Sequence, residues 1–538
     1  MIDHFPSRDE CVIADLLDRW ADERPGATYA HFAEEKWTFA GTADKAWQFG
    51  NALLDAGVEE GESVSVWMPT RPELVQSWFG ANAIGAVFAP LAVAARGTFL
   101  EHCLNLAAPR LLVAHGGLIE RLVGLAVPSL ERIVVIGEAP DVDLPWPLES
   151  FGDFVASAAT NRPQLAVPIE PWDDFALIYT SGTTGPSKGV RLSYASHRSY
   201  ADALVLDEIG REDRFLMSLP LSHVAGTSTT YAMLQRGGTI VLPGAFDPKT
   251  FWKEVRRYEI TSTFIIHGMV SFLLGQPALP EDADSSLRYV YMGPLTRVEE
   301  FCERFGVSIY TGFGMTEVPL CLRSGINPTA ETTVGRPFNP DCELRLVDDH
   351  DLSVPDGTPG ELIVRHQHPW MLNSGYRDMP EATARAWRNG WFHTGDQMLV
   401  DENGDWVFVD RVKDAIRRRG ENISSYEVEA EVLSHAAVDQ VAAVAVPAPG
   451  AAETSGDEEV KVVVVAAEGR EVDPQELIEY LIPRMPRHMV PRFVEVVEEL
   501  PRTPSFKIKK SDLREAGVTA STWDREATGI KLKREQLA

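Results

Sequence analysis

Over the first 170 positions the apolar residues alternate between two rhythms. In TADKAWQFGNALLDAG (42–57) they return at helical spacing and the run ends at Gly57, which predicts a helix. ESVSVWM (62–68) predicts a strand, and PELVQSWFGANAIGAVFAPL (72–91) a long apolar helix running into a second strand. RLLVA (110–114) and RIVVIG (132–137) predict short strands, with a helix between them on Leu, Ile and Val at turn spacing. This alternation is that of βαβ units and a parallel sheet. It resumes in DFALIYT (174–180), RFLMSLP (214–220), GTIVLPG (238–244) and STFIIHG (262–268), with FWKEVRRYEI (251–260) as a helix between the last two. RYVYMG (288–293) and VSIYTGFG (307–314) predict two more strands.

From 343 to 410 the pattern changes to short alternating strands separated by Gly/Asp/Pro turns, which predicts antiparallel sheet. After Asp410 an α+β unit restarts, with helices at 426–435 and 473–482 and strands at 440–448, 459–467 and 492–500. The expected fold is α/β: a large body over 1–410, divided into α/β parts of about 1–170 and 171–342 and an antiparallel part of about 343–410. A small mobile α+β cap over 411–538 follows, with a hinge near Lys413.

Composition narrows the function classes. At 44% hydrophobic and 24% charged residues, the 538-residue chain has the balance of an ordinary globular enzyme. Its net charge of −29 repels phosphate backbones and anionic lipid, so neither nucleic acid nor a membrane surface is an expected partner. Five scattered cysteines without a CxxC pair suggest buried reduced thiols, not a zinc knuckle or a disulfide framework. The amino end lacks a basic segment followed by an apolar one, and the strand-length VKVVVVAAEG (461–470) is the nearest approach to a membrane span. A soluble, cytoplasmic protein is expected.

The strongest chemical signal is YTSGTTGPSKGV (179–190), placed after an apolar strand. Thr180, Ser181, Gly182, Thr183, Thr184, Gly185, Lys188 and Gly189 combine hydroxyl donors, turn-permitting glycines and one cation, which together make a cradle for phosphate oxygens. It is not a Walker A loop, since Ser187 precedes the lysine and Gly189 follows it.

With GFGMTE (312–317), GWFHTGDQ (390–397), DRVKDAIRRRGENIS (410–424) and PRTPSFKIKK (501–510), this loop resembles the ordered signature set of the adenylate-forming superfamily, the acyl-CoA synthetases and their relatives. RRGENIS and the long tail through Trp523 are similar to the ligases grouped around carnitine or crotonobetaine CoA ligase. The resemblance implies that Thr180–Lys188 holds the β- and γ-phosphates of ATP, that Thr316 contacts the α-phosphate and that Glu317 ligates Mg²⁺. It implies further that Asp396 binds the ribose hydroxyls, that Arg411 reaches ribose or phosphate, and that Phe313 stacks on adenine near Gly293 and Pro294. Lys507 takes the place of the lysine that bridges carboxylate and α-phosphate, although bulky Phe506 stands where the family has glycine. Arg417, Gly420 and the residues after it would form the cap face seen by the pantetheine thiol, and His223 would separate acyl pocket from thiol channel.

The implied reaction joins a small or medium carboxylic acid to coenzyme A through an acyl-adenylate, at the expense of ATP and with Mg²⁺. An amine or a carrier-protein thiol remains open as the acceptor, and a dimer through the large body is the implied assembly. The acyl pocket is expected among 224–226, 265–269 and 292–295, where His267 hints at a polar acyl tail.

Overall fold

The computed structural model describes residues 5–33, 35–180, 187–411, 416–418, 421–423, 425–447, 458–482, 484–485, 489–502 and 508–530. Among these residues the body contains three seven-stranded sheets. The first orders its strands as Leu148–Ser150, Arg132–Ile136, Leu111–His115, Ser63–Trp67, Val87–Pro90, Asp174–Thr180 and Lys188–Ser193. Every pairing is parallel except the last, an antiparallel hairpin whose register sets Thr180 opposite Lys188. The second sheet runs Ser308–Tyr310, Tyr289–Gly293, Ser262–Ile266, Arg214–Leu216, Thr239–Leu242, Thr28–Phe32 and Lys36–Thr38.

The two sheets share one core. Val64, Val66, Phe88 and Phe175 of the first and Tyr29, Phe215 and Ile240 of the second belong to a single buried cluster. Helices Pro72–Ala83 and Val224–Arg236 lie within it and are buried nearly all round, the second with its Thr and Ser residues included. At the crossing of helices Phe39–Asp55 and Pro72–Ala83, a Cβ on Gly80 would stand 2.7 Å from the Phe49 Cβ and 2.9 Å from the Ala46 carbonyl. Glycine there lets the helix axes approach.

The sheets interleave along the chain. The Thr28–Phe32 strand joins the second sheet and the 174–193 hairpin joins the first, so no cut near 170 separates them. The antiparallel sheet begins at Gly312 rather than near 343. VSIYTGFG, expected as one strand, is two: Ser308–Tyr310 closes the second sheet and Gly312–Met315 opens the third. A Cβ at Gly312 would meet the Leu322 carbonyl at 2.5 Å, so the chain can cross between sheets there only with a bare backbone. The helix expected between 114 and 132 is instead the 3₁₀ segment Gly116–Leu122, opened by two glycines and too short to sustain an α-helix.

The third sheet orders Gly312–Met315, Val318–Arg323, Thr333–Pro337, Trp406–Arg411, Phe392–Val400, Gly360–His366 and Cys342–Val347, all antiparallel. The smaller α+β cap holds the sheet Val438–Pro447, Glu458–Ala466, Phe493–Val497 and Trp523–Asp524, with helices Ser425–Leu433 and Pro474–Leu481. Its hairpin Ile416–Arg418/Glu421–Ile423 is anchored by buried Arg418, which pairs with Glu459 at 2.6 Å and donates to the Val490 carbonyl at 3.2 Å. No helix among the described residues is long and apolar enough to cross a membrane.

Candidate active site

Two hairpins carry several of the residues expected to hold phosphate and metal. In the first, the Asp174–Thr180 and Lys188–Ser193 strands close the phosphate-cradle loop at its base. The Ser187 hydroxyl donates to the Thr180 carbonyl at 2.5 Å, and the His102 Nε2 stands 2.7 Å from the Ser187 carbonyl. Ser181, Gly182, Thr183 and Thr184 lie outside the described residues.

In the second, Met315 pairs with Val318, so Thr316 and Glu317 are the two-residue tip of a β-hairpin, both buried. Neither adopts positive φ, unlike the primed turns that tight hairpins favour. The tip is held from outside. Asn373 donates to the Glu317 carbonyl through its backbone N–H at 3.2 Å and through Nδ2 at 2.9 Å. The Tyr376 hydroxyl donates to Glu317 Oε1 at 2.9 Å.

The segment carrying Asn373 and Tyr376 runs antiparallel along the edge of the first hairpin. Arg191 N–H donates to the Gly375 carbonyl at 3.0 Å, Ser374 N–H to the Arg191 carbonyl at 2.9 Å and Arg377 N–H to the Gly189 carbonyl at 2.9 Å. The Lys188 ammonium lies over the Tyr376 ring, 4.4 Å from its centroid. Burial, the Glu317 charge and the hydrogen bond to it push the Tyr376 phenol above its ordinary range, so it remains a donor. Lys188 and Glu317, far apart in sequence, thus meet on one tyrosine.

Asp396 lies inside the Phe392–Val400 strand, buried and in register with Arg411 across the sheet. Its N–H donates to the Thr394 hydroxyl at 3.1 Å. Glu361, on the neighbouring strand, accepts from Gly395 N–H at 3.0 Å and stands 3.0 Å from the His393 Nδ1. Phe313 packs with Val318, Cys321 and Leu322 and is 9% exposed.

His223 caps the Val224–Arg236 helix, its Nδ1 accepting from Ala225 N–H at 3.3 Å, which leaves the ring proton on Nε2. Of the expected acyl-pocket residues, Ile265, Met269, Met292 and Leu295 belong to the second sheet's hydrophobic core. Ile266 and Gly293, paired in register, are only partly buried, and Pro294 follows at the strand end. Strand alternation explains the split between Ile265 and Ile266, since neighbouring side chains face opposite ways.

Lys413, Phe506, Lys507 and Gly420 lie outside the described residues, as do the side chains of His267, Arg411 and Arg417. The structure therefore links Thr180 and Lys188 to Thr316 and Glu317 through Tyr376, and places Asp396 on another strand of the third sheet, the sheet whose 312–323 hairpin carries Thr316 and Glu317. Sequence reasoning missed Asn373, Tyr376 and Glu361, which match no motif by themselves. All five cysteines are free, and burial pushes the Cys103 and Cys342 thiols up to about 12, which leaves them unreactive.

No group of three or more His, Cys, Asp or Glu able to hold a metal occurs among the described residues. A buried carboxylate beside a threonine fits Mg²⁺, which is commonly held by one or two carboxylates while substrate phosphates and water complete its shell.

Two sheet-bearing α/β layers, an antiparallel sheet and a small α+β cap, with Lys188 of the 174–193 hairpin joined through Tyr376 to a buried acidic hairpin tip, define a nucleotide-using enzyme of the adenylate-forming fold. The chain belongs to the AMP-binding enzyme family, which matches residues 17–376, and the AMP-binding enzyme C-terminal domain matches 427–507. It is 31% identical over 504 residues to a feruloyl-CoA synthase of Amycolatopsis, covering 92% of this chain and 97% of that one. It is 29% identical over 500 residues to the crotonobetaine/carnitine–CoA ligase of Citrobacter koseri, covering 89% and 93%. Among solved structures, the anthranilate CoA ligase AuaEII in complex with anthranoyl-AMP superposes with a TM-score of 0.82 at 25% identity, covering 96% of this chain and 98% of that one. The amide bond synthetase McbA from Marinactinospora thermotolerans does so at 0.79 and 27%, covering 94% and 99%.

Proposed function

We propose that the protein is an ATP-dependent carboxylic acid:CoA ligase. The observation that carries the reading is the meeting of Lys188, at the base of the phosphate-cradle hairpin, and Glu317, at the acidic hairpin tip, on Tyr376. One cation and one buried carboxylate held together, with a run of hydroxyl residues next to the cation in sequence, suit a polyphosphate bound with a divalent ion.

In the first half-reaction a carboxylate oxygen of the substrate attacks the α-phosphorus of ATP. The new O–P bond gives the acyl-adenylate, and the bond between the α-phosphorus and its bridging oxygen breaks to release pyrophosphate. Thr180–Lys188 holds the β- and γ-phosphates, Thr316 contacts the α-phosphate, and Lys507 stabilises the charge where carboxylate and phosphate meet. Mg²⁺ held by Glu317 would neutralise part of the polyphosphate charge. Asp396 accepts from the ribose hydroxyls, Arg411 reaches ribose or phosphate, and Phe313 offers its ring to adenine near Gly293 and Pro294. In the second half-reaction the coenzyme A sulfur attacks the acyl carbon, the C–O bond to AMP breaks and the thiol proton leaves to solvent. Arg417 and Gly420 line the approach of the thiol, and His223 separates it from the acyl pocket.

Body and cap divide near 410, with a hinge at Lys413 that presents Lys507 and Gly420 in turn. The likeness to an amide bond synthetase at 27% identity favours a second reading, transfer of the acyl group to an amine. The test is pyrophosphate release from ATP and Mg²⁺ with carnitine, crotonobetaine, short fatty acids and aromatic acids, followed by acceptor choice among coenzyme A, simple amines and a phosphopantetheinyl carrier. Carboxylate-dependent pyrophosphate with acyl-CoA as product is expected. Amide product without acyl-CoA would establish the second reading, and no carboxylate-dependent pyrophosphate would overturn both.

A further inference from the structure

We propose that Tyr376 is a positioning residue that couples the metal carboxylate to the phosphate loop; the inference rests on the functional reading above. The tyrosine touches two groups with two different parts of its side chain. Its hydroxyl donates to Glu317 Oε1 at 2.9 Å, and its ring face carries the Lys188 ammonium 4.4 Å from the centroid. A charge-assisted hydrogen bond fixes the rotation of the carboxylate. The ring quadrupole fixes the position of the cation without neutralising it, since the ring bears no charge to compete with phosphate.

Tyr376 itself is held on every side. Its N–H donates to the Thr383 hydroxyl at 2.9 Å, its backbone bridges antiparallel to Val190, and its side chain is 7% exposed. Gly375 before it has φ +94°, and a Cβ there would stand 2.8 Å from the Thr383 side chain. Gly375 N–H and the Trp387 indole N–H both donate to Asn373 Oδ1, at 2.9 and 3.1 Å, while the Asn373 amide grips the Glu317 carbonyl. The segment 373–376 therefore holds Glu317 by backbone and side chain at once and is stitched to the strand that carries Lys188. Such outer partners of a metal ligand orient it, and losing one commonly weakens metal binding by about 10- to 100-fold.

Separating the hydroxyl from the ring tests the assignment. ATP binding is measured by calorimetry without carboxylate, once in EDTA and once in saturating Mg²⁺; the ratio of the two affinities reports the coupling between metal and nucleotide. Tyr376→Phe, which keeps the ring over Lys188, should lower that ratio by about tenfold and leave the affinity in EDTA unchanged. Tyr376→Leu should in addition weaken ATP binding in EDTA, because Lys188 loses its platform. In a Glu317→Gln background, Tyr376→Phe should have no further effect on the ratio. An unchanged ratio in Tyr376→Phe, or the same drop with and without Glu317, overturns the assignment while the functional reading stands. A wild-type protein whose ATP affinity ignores Mg²⁺ overturns the reading itself.

Discussion

Replacing Asp396 by alanine removes a buried carboxylate from the interior of a strand, so its effect separates binding from folding when both are measured. Losing charge-assisted acceptors for the ribose should cost about 2 to 3 kcal/mol, or roughly 30- to 150-fold in kcat/KM for ATP. A variant that unfolds at a lower temperature yet retains full ATP use would reduce Asp396 to a structural residue. For Lys507→Ala the expected loss falls on carboxylate-dependent pyrophosphate release, while thioester formation from supplied acyl-AMP survives, because the cation is needed only as carboxylate and α-phosphate meet. Equal losses in the two assays would contradict that division. At this scale Lys188 stands out through the composition of its loop, whereas Glu317 and Asp396 are expected from the motifs that resemble the family. Tyr376, Asn373 and Glu361 were not legible, because the groups they hold lie 59, 56 and 34 residues away in sequence.

Helix and sheet contacts supply a second set of outcomes. Gly80→Ala should destabilise the body by about 1 to 3 kcal/mol, since the added methyl meets the Phe49 Cβ and the Ala46 carbonyl and the two helices must separate. Denaturant titration measures it; an unchanged midpoint would mean that the crossing can yield. In the cap, Lys461 on the Glu458–Ala466 strand pairs with Glu495 on Phe493–Val497 at 2.5 Å, both buried. Burial alone would raise the Glu495 carboxyl. Lys461 and the hydroxyls of Thr519 and Ser521 outweigh it and bring it from the ordinary 4.5 down to about 2. A folded value below the unfolded one means the stabilisation is whole above pH 4.5 and is lost as pH falls toward 2. Calorimetry of the wild type against Glu495→Gln should therefore show a gap in melting temperature that is wide at pH 6 and narrows through the acid range. A gap independent of pH would show that the carboxylate charge contributes nothing.

The whole molecule raises the question of how one site serves two half-reactions. The proposed roles put Lys507 in the first half-reaction and Gly420 in the second, far apart in the cap sequence, so one pocket would receive the two faces in turn. Lys413→Pro fixes φ near −65° at the proposed pivot. One half-reaction should persist and the other fall, read as an adenylation burst and as thioesterification of supplied acyl-AMP in one preparation. Retention of both would move the pivot elsewhere in the chain.

What the sequence determined by itself was local. The period of the apolar residues set most strands and helices, because burial of one face acts over a few residues. The crowding of hydroxyls, glycines and Lys188 into one short loop points to phosphate chemistry through local composition alone. Tertiary structure decided which sheet each strand entered, including the division of VSIYTGFG at Thr311 and the crossing of Thr28–Phe32 into the second sheet. It also decided that residues 373–376 lie between the two hairpins. Sheet membership and contact across long sequence separation depend on how layers pack, and neither leaves a period in the chain to be read.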